Sequence, residues 1–270
     1  MSDGLTDLVA KKFIARRDVK AVQHKGGAWS PHQKFNPETH KHDGPRIPWC
    51  RADLDAHISG EHTFGHYLLN TDNTCKLFAF DIDLEKSGVL PTSSEMIEES
   101  FEPCDDLRAA WLDRKNVGRS WMKLQFKEMA HMLMRGIHEE LDLQCAAAYS
   151  GGKGIHVYGF TGVLPADEVR EGAQIVLDSL NCFEVVRGQH FFKHVNEHPW
   201  NGYPNLSIEV FPKQGSLDGK DLGNLMRLPL GRNLKSTDPT FFIDMRSALG
   251  QMIPQDPIEA LTLPNPWSDN

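Results

Sequence analysis

KLFAFDIDL, residues 76–84, is the stretch from which the rest of the chain falls into order. Apolar and polar residues alternate toward its end and turn formers bound it, so it reads as a β-strand. On a strand, residues i and i+2 point to one face, which aims Asp81 and Asp83 together. Two bare carboxylates at that spacing repel, and one is pushed toward protonation. A divalent cation removes the repulsion, and hard oxygen donors suit Mg²⁺ or Mn²⁺. A solvated strand end explains the same pattern without a metal. Glu85 lies one step further on the same face.

Three further segments carry chemistry. YSGGKGIH, residues 149–156, places glycines at 151, 152 and 154 between two expected strands, 145–150 and 155–160. Such glycines let backbone N–H groups approach an anion closely. Ser150 and Lys153 add donors beside Gly152 and Gly154, and His156 opens the next strand. The spacing is not that of a Walker loop, and an ordinary glycine hairpin is the competing explanation. LSIEVF, residues 206–211, is an expected strand with one acid, Glu209, among apolar residues. A buried lone carboxylate is costly unless paired or metal-bound; the solvent side of an edge strand is its other explanation. GNLMRLPLGRNLKS, residues 223–236, offers Arg227 and Arg232 as planar guanidinium forks for phosphate. Asn224, Lys213 and Lys235 are further polar contacts, against a solvated basic loop.

In order and spacing, FDID, SGGKGIH, IEVFPK and GNLMRLPLG resemble the archaeo-eukaryotic primase superfamily. FIARRDVKAV and HISGEHTFGHYLLNTDNTC extend the likeness toward primase-polymerases of phage, mobile-element and CRISPR-associated types, over roughly residues 10–235. The resemblance implies an α/β (α+β), two-lobed catalytic domain, with an N-terminal α/β lobe packed on an RRM-like sheet. It implies that Asp81, Asp83 and Glu209 hold two Mg²⁺ or Mn²⁺ ions. It gives the incoming triphosphate to Ser150, Gly152, Lys153, Gly154 and His156, with Arg227 as a further phosphate ligand and Asn224, Arg232 and Lys235 alongside. Glu209 is one methylene longer than the Asp frequent at that position of the superfamily. The implied activity is template-dependent nucleotidyl transfer, making DNA or RNA from nucleoside triphosphates. Single-stranded DNA template and a primer strand are the expected partners, with a helicase or another replication or CRISPR component beside them. An end-joining polymerase acting on gapped ends, a non-catalytic single-strand-binding module of the same fold and a metal-dependent nuclease are the alternatives.

Arg16 and Arg17 precede an expected strand, DVKAVQ, and with Lys213 are candidates for template phosphate. His190, His194 and His198 recur every four residues after Cys182; on a helix they would share a face. Pro199 follows at once and no CxxC accompanies them, so zinc is not expected, nor at His40 and His42 near Cys50. Trp111, Trp121 and Trp200 are assigned to helix faces and core before base stacking.

Helices are expected over 119–141 (Trp121, Leu124, Met129, Leu133 and Ile137 near helical spacing) and over 166–180 (Val169, Ile175, Val176 and Leu180). Residues 22–48 read as loop, 86–118 as an acidic surface insertion, and 251–270 as a proline-rich tail or linker after a catalytic domain of 1–250. The net charge of −8 is local: residues 95–113 hold seven acids against one base, which accounts for −6 and leaves the rest near neutral. A basic groove elsewhere therefore stays open. Forty per cent hydrophobic residues exclude a collagen-like or wholly disordered chain. Five cysteines, an odd number without a CxxC pair, do not make a disulfide framework. No apolar run approaches the ~18 residues of a membrane span, and MSDGLTDLVAKKF lacks a signal peptide's apolar stretch. A cytoplasmic protein of a bacterial or phage-infected cell is the expectation.

Overall fold

The computed structural model describes residues 2–93, 101–186, 189–192 and 205–263. Helices are α1 (Ser2–Phe13), α2 (Arg51–Ile58), α3 (Leu107–Leu112), α4 (Gly118–Leu141), α5 (Ala166–Ser179) and α6 (Pro257–Thr262). Strands are β1 (Ala21–Gln23), β2 (Trp29–Pro31), β3 (Phe64–Tyr67), β4 (Thr74–Leu84), β5 (Gly88–Pro91), β6 (Phe101–Cys104) and β7 (Cys145–Tyr149), then β8 (Gly154–Pro165), β9 (Cys182–Val186), β10 (Gln189–Phe192), β11 (Leu206–Phe211), β12 (Leu225–Arg227) and β13 (Phe241–Phe242). The architecture is mixed α/β built on antiparallel sheets. A seven-stranded sheet runs β13-β7-β8-β4-β11-β10-β9, a four-stranded sheet runs β12-β3-β1-β2, and β5 pairs with β6.

Strand β4 lies fourth among the seven, and its two faces have different fates. Phe78, Phe80 and Ile82 are fully buried. Gly159 of β8 leaves the space for the Phe78 ring, which a Cβ there would strike. Helices α4 and α5 pack against each other and both touch β8. On α5 the buried residues are Ala166, Val169, Ala173, Val176 and Leu177, the 3–4 spacing of an apolar stripe. Ile175 falls off that stripe and is 43% exposed, contrary to the sequence expectation. On the face that carries Asp81, Phe13 of α1 packs edge-on against Tyr158 and Phe160 of β8, with centroids 5.0 and 5.4 Å away.

The segment 86–118 is not all surface. Leu90, Leu107, Ala110 and Trp111 are buried in the main core, and α3 is capped by the Asp106 carboxylate, which accepts from the Ala109 amide. Part of the segment 251–263 is also packed. Asp256 caps α6 by accepting from the Ile258 and Glu259 amides, Pro257 opens its first turn, and Ala260 and Leu261 are buried in the core shared with α1. Residues 22–48 contain β2 within an otherwise irregular run. No helix among the described residues is long and apolar enough to cross a membrane.

Candidate functional site

Register creates the site. Glu209 of β11 sits opposite Asp81 of β4, and Asp81 sits opposite His156 of β8, so one row crosses three adjacent strands on one face. The next row is Ser207, Asp83 and Gly154. Directly opposed Cβ atoms lie about 4.5–5.5 Å apart, so three carboxylates separated by up to 128 positions in sequence become neighbours. Gly154 is obligatory here: a Cβ would collide with the Asp83 carboxylate and the Ile82 carbonyl.

Each acid has a nitrogen partner. His156 Nε2 is 3.4 Å from Asp81 Oδ1. Lys153 Nζ is 3.0 Å from Asp83 Oδ2 and donates to the Leu84 carbonyl at 3.1 Å. Lys213 Nζ donates to Glu209 Oε2 at 2.8 Å and lies 4.8 Å from the centre of the Phe211 ring. Burial, then Asp83 and then Glu209 push the Asp81 carboxyl well above the usual carboxylate range; Lys153 and Lys213 offset this only in part. Burial, followed by the Arg227 charge and His66, lowers His156 to about 3, so its imidazole is neutral at physiological pH. Its Nδ1 is 2.8 Å from the Tyr158 hydroxyl, whose pKa burial and Asp81 raise.

Asp81 and Asp83 open into a cavity of about 300 Å³. Ser150, Gly152, Lys153, His156, Arg227 and Lys235 line it with them. The glycine turn on its wall is held by its carbonyls. Gly151 O accepts from Asn233 Nδ2 at 2.9 Å and from the Ser236 hydroxyl. Gly152 O accepts from Trp111 Nε1 at 2.8 Å and from the Tyr149 hydroxyl at 3.0 Å. Arg227 donates to the Ser150 carbonyl, its Nε is buried without a partner, and its guanidinium lies 5.7 Å from the centre of the Trp29 ring. Gly151 has φ +70°, the left-handed region that glycine enters without strain.

Several expected residues lie elsewhere. Glu209, in the row, and its partner Lys213 do not line the cavity. Asn224 is outside it, its Oδ1 accepting from the Lys213 amide at 2.8 Å. Arg232 is exposed and bridges through its backbone to Pro239. Arg16, expected on template phosphate, is instead a core residue, 3% exposed and paired with Asp18 at 2.9 Å: an arginine flanked by acids satisfies its own charge inside the fold. Arg17 lines a separate hollow with Trp49 and Arg51. His190 stands on strand β10, not on a helix, so the shared helical face does not form there; His194 and His198 lie outside the described residues. Sequence reading missed Trp29, Trp111, Asn233 and Ser236. Asn233 and Ser236 stood inside the GRNLKS segment, but nothing local shows which carbonyl a side chain will reach.

The donor set suits a hard divalent ion: oxygens on one face, with burial and then like-charge repulsion raising the Asp81 pKa. As they stand, no three His, Cys, Asp or Glu side chains among the described residues are gathered into a metal cage, because Asp83 is turned to Lys153 and Glu209 to Lys213. The carboxylates share a face and do not meet at one point, which departs from the ready convergence the sequence predicts.

A family model, "TOTE conflict system, Archaeo-Eukaryotic Primase domain", matches residues 6–255. The chain belongs to this family. The match ends beyond residue 250, in keeping with the packing of the following segment against the core. No curated protein matches the chain.

Proposed function

We propose that this domain is a template-dependent nucleotidyltransferase, a primase-polymerase extending DNA or RNA from nucleoside triphosphates on a single-stranded template, with or without a primer. The row Glu209–Asp81–His156, one residue from a glycine turn flanked by Lys153 and Arg227, carries this reading. The sheet supports the finer fold as well. With β5, β6 and α3 set aside before α4, and β9 and β10 before β11, the succession β4–α4–β7–β8–α5–β11 and the spatial order β7-β8-β4-β11 follow the split βαββαβ pattern expected of an RRM-like unit. The four-stranded sheet, which supplies Trp29, Leu225 and Arg227 to the same cavity, would be the second lobe.

Asp81, Asp83 and Glu209 would hold Mg²⁺ or Mn²⁺, which when bound supply a lowered pKa for the attacking 3′-hydroxyl and charge neutralisation for the leaving pyrophosphate. The residues of the chain position the triphosphate. Arg227 and Lys153 present cations, and the Ser150 hydroxyl, now donating to the Gly154 carbonyl at 2.8 Å, lies in the turn. His156 is neutral and so acts as a hydrogen-bond donor rather than a proton store. Little covalent work falls to the protein; catalysis is positioning and charge.

The test is incubation of the chain with circular single-stranded template, labelled nucleotides and Mg²⁺ or Mn²⁺, with and without a primer. Incorporation that needs template, nucleotide and divalent ion is expected; none under any combination would dispose of the reading. Asn233 gives a narrower prediction. Its Nδ2 holds Gly151 O and its Oδ1 accepts from Gln23 Nε2 at 3.4 Å, tying the turn to the small sheet. Asn233→Ala is expected to raise KM for nucleotide by about tenfold, the equivalent of one hydrogen bond in a buried network, with a smaller change in kcat. An unchanged KM in initial-rate measurements would show that the turn holds without it.

A further inference from the structure

The four-stranded sheet continues beyond the cavity. Strand β2 carries Trp29 in the cavity wall and runs directly into an irregular hairpin over residues 32–47. Backbone bridges join Gln33 to Arg46 and Asn36 to Lys41. The Lys34 amide donates to Pro45 O at 2.9 Å, Gly44 N to Lys34 O at 3.1 Å, and the Gln33 side chain to Gly44 O at 3.0 Å. Thr39 Oγ1 donates to Asp43 at 2.8 Å near the tip, which His40 turns with φ 51°. At the base, Ile47 N donates to His32 O at 2.9 Å and Arg46 pairs with Asp221. The hairpin is thus held along its length by backbone and side-chain hydrogen bonds.

Gln33, Asn36, Thr39 and Arg46 spend their side chains on this framework, whereas Lys34, Phe35 and Lys41 are turned to solvent. Phe35 is 53% exposed. The rings of His42 and His40 flank it at centroid distances of 5.6 and 6.4 Å and interplanar angles of 69° and 62°, so neither is stacked on it. Lys34 and Lys41, one on each arm, are exposed and make no ion pair among the described residues. An exposed apolar ring on a hydrogen-bonded hairpin, beside two exposed lysines, is what stacking on a nucleobase requires: every base offers a π-face and every linker a phosphate.

We propose that the 32–47 hairpin is a binding surface for single-stranded nucleic acid, with Phe35 as its stacking platform and Lys34 and Lys41 as its phosphate contacts. The proposal extends the polymerase reading by naming where the template strand lies as it passes the cavity wall. It replaces Arg16, which the fold consumes, as the N-terminal nucleic-acid contact. Sequence non-specific binding is expected, because stacking and phosphate pairing carry no base readout.

Fluorescence anisotropy with a labelled oligo-dT strand, titrated with the full chain over a salt series, tests it. Phe35→Ala is expected to weaken binding at least about fivefold with the salt slope unchanged, and Phe35→Trp to restore it. Lys34→Ala with Lys41→Ala is expected to weaken binding and make the slope of log K against log salt shallower by roughly 1.4, two single-strand phosphate contacts. All three variants should keep the wild-type melting temperature, since their side chains are exposed. Wild-type affinity and slope in the variants, or no oligo-dT binding by the parent chain, would overturn the hairpin assignment. The two readings separate cleanly: Phe35-dependent binding without nucleotide incorporation keeps the hairpin and removes the polymerase, whereas incorporation with Phe35-independent binding does the reverse.

Discussion

Asp81→Ala combined with Asp83→Ala is expected to abolish nucleotide incorporation, by about a thousandfold or more, while single-strand binding stays largely intact. The magnitude follows from several kcal/mol of charge stabilisation lost with the metal ligands. The same substitution should have an opposite effect on stability. Asp81 is held above the ordinary carboxylate range by burial, Asp83 and Glu209. A group whose folded pKa is raised contributes stability below its unfolded pKa, and that contribution is lost as pH rises toward the folded value. With a chelator present, the parent chain should therefore melt at lower temperature as pH climbs above the carboxylate range. Asp81→Asn should flatten that slope and melt at or above the parent at neutral pH. Mg²⁺ or Mn²⁺ should raise the parent's melting temperature and leave the variant's unchanged. Full activity in the double variant would end the assignment of the site. A melting temperature insensitive both to divalent ions and to Asp81→Asn would show that these carboxylates neither repel one another nor bind metal.

Both the row of acids and its limits follow from what a sequence can encode locally. Period-two alternation fixes which face Asp81 and Asp83 occupy, and it delimits β11 at Leu206–Phe211 as observed. Helical spacing gives α4 and α5 to within a residue or two. What periodicity cannot give is register between strands far apart in the chain. That Glu209 stands opposite Asp81, rather than one residue over and on the other face, is a property of the assembled sheet. The same limit hides the role of Trp111. Its segment is acidic and reads as surface, yet its indole reaches Gly152 O, because α3 is short and buries Leu107, Ala110 and Trp111 together. Helix α1 shows only a modest apolar pattern in its sequence, and its placement rests on Phe13 finding Tyr158 and Phe160. Arg16 shows the converse error: a basic pair near a strand looks like a nucleic-acid contact until Asp18 and the fold around it are seen to absorb the charge.

Asp53→Ala is expected to destabilise the chain by about 3–5 kcal/mol, the cost of leaving a buried ammonium without its counter-charge. Lys20 is fully buried, and its Nζ donates to Asp53 Oδ2 and Pro48 O, each at 2.7 Å. The Trp49 and Phe64 rings flank it, each centroid 5.7 Å away. Burial alone would raise the Asp53 pKa, but the Lys20 hydrogen bond and the Cys50 amide outweigh it and hold the carboxyl below its usual value. A depressed pKa contributes stability that is present above the unfolded pKa and lost as pH falls through the folded one, so the acid limb of the parent's stability curve should include a step that Asp53→Ala lacks. Asp53→Asn, which keeps an acceptor for both donors, should cost less. Lys20→Met with Asp53→Leu should be close to neutral, since removing both charges removes the desolvation cost along with the pair. Chemical denaturation of the three variants orders them, and equal stability for Asp53→Ala and the parent would show that water, not Asp53, satisfies Lys20. The consequence reaches the site. Lys20 immediately precedes β1, whose Gln23 holds Asn233 and through it the Gly151 carbonyl. Loosening this anchor should therefore raise KM for nucleotide before it unfolds the domain, whereas a loss confined to thermal stability would separate the anchor from the turn.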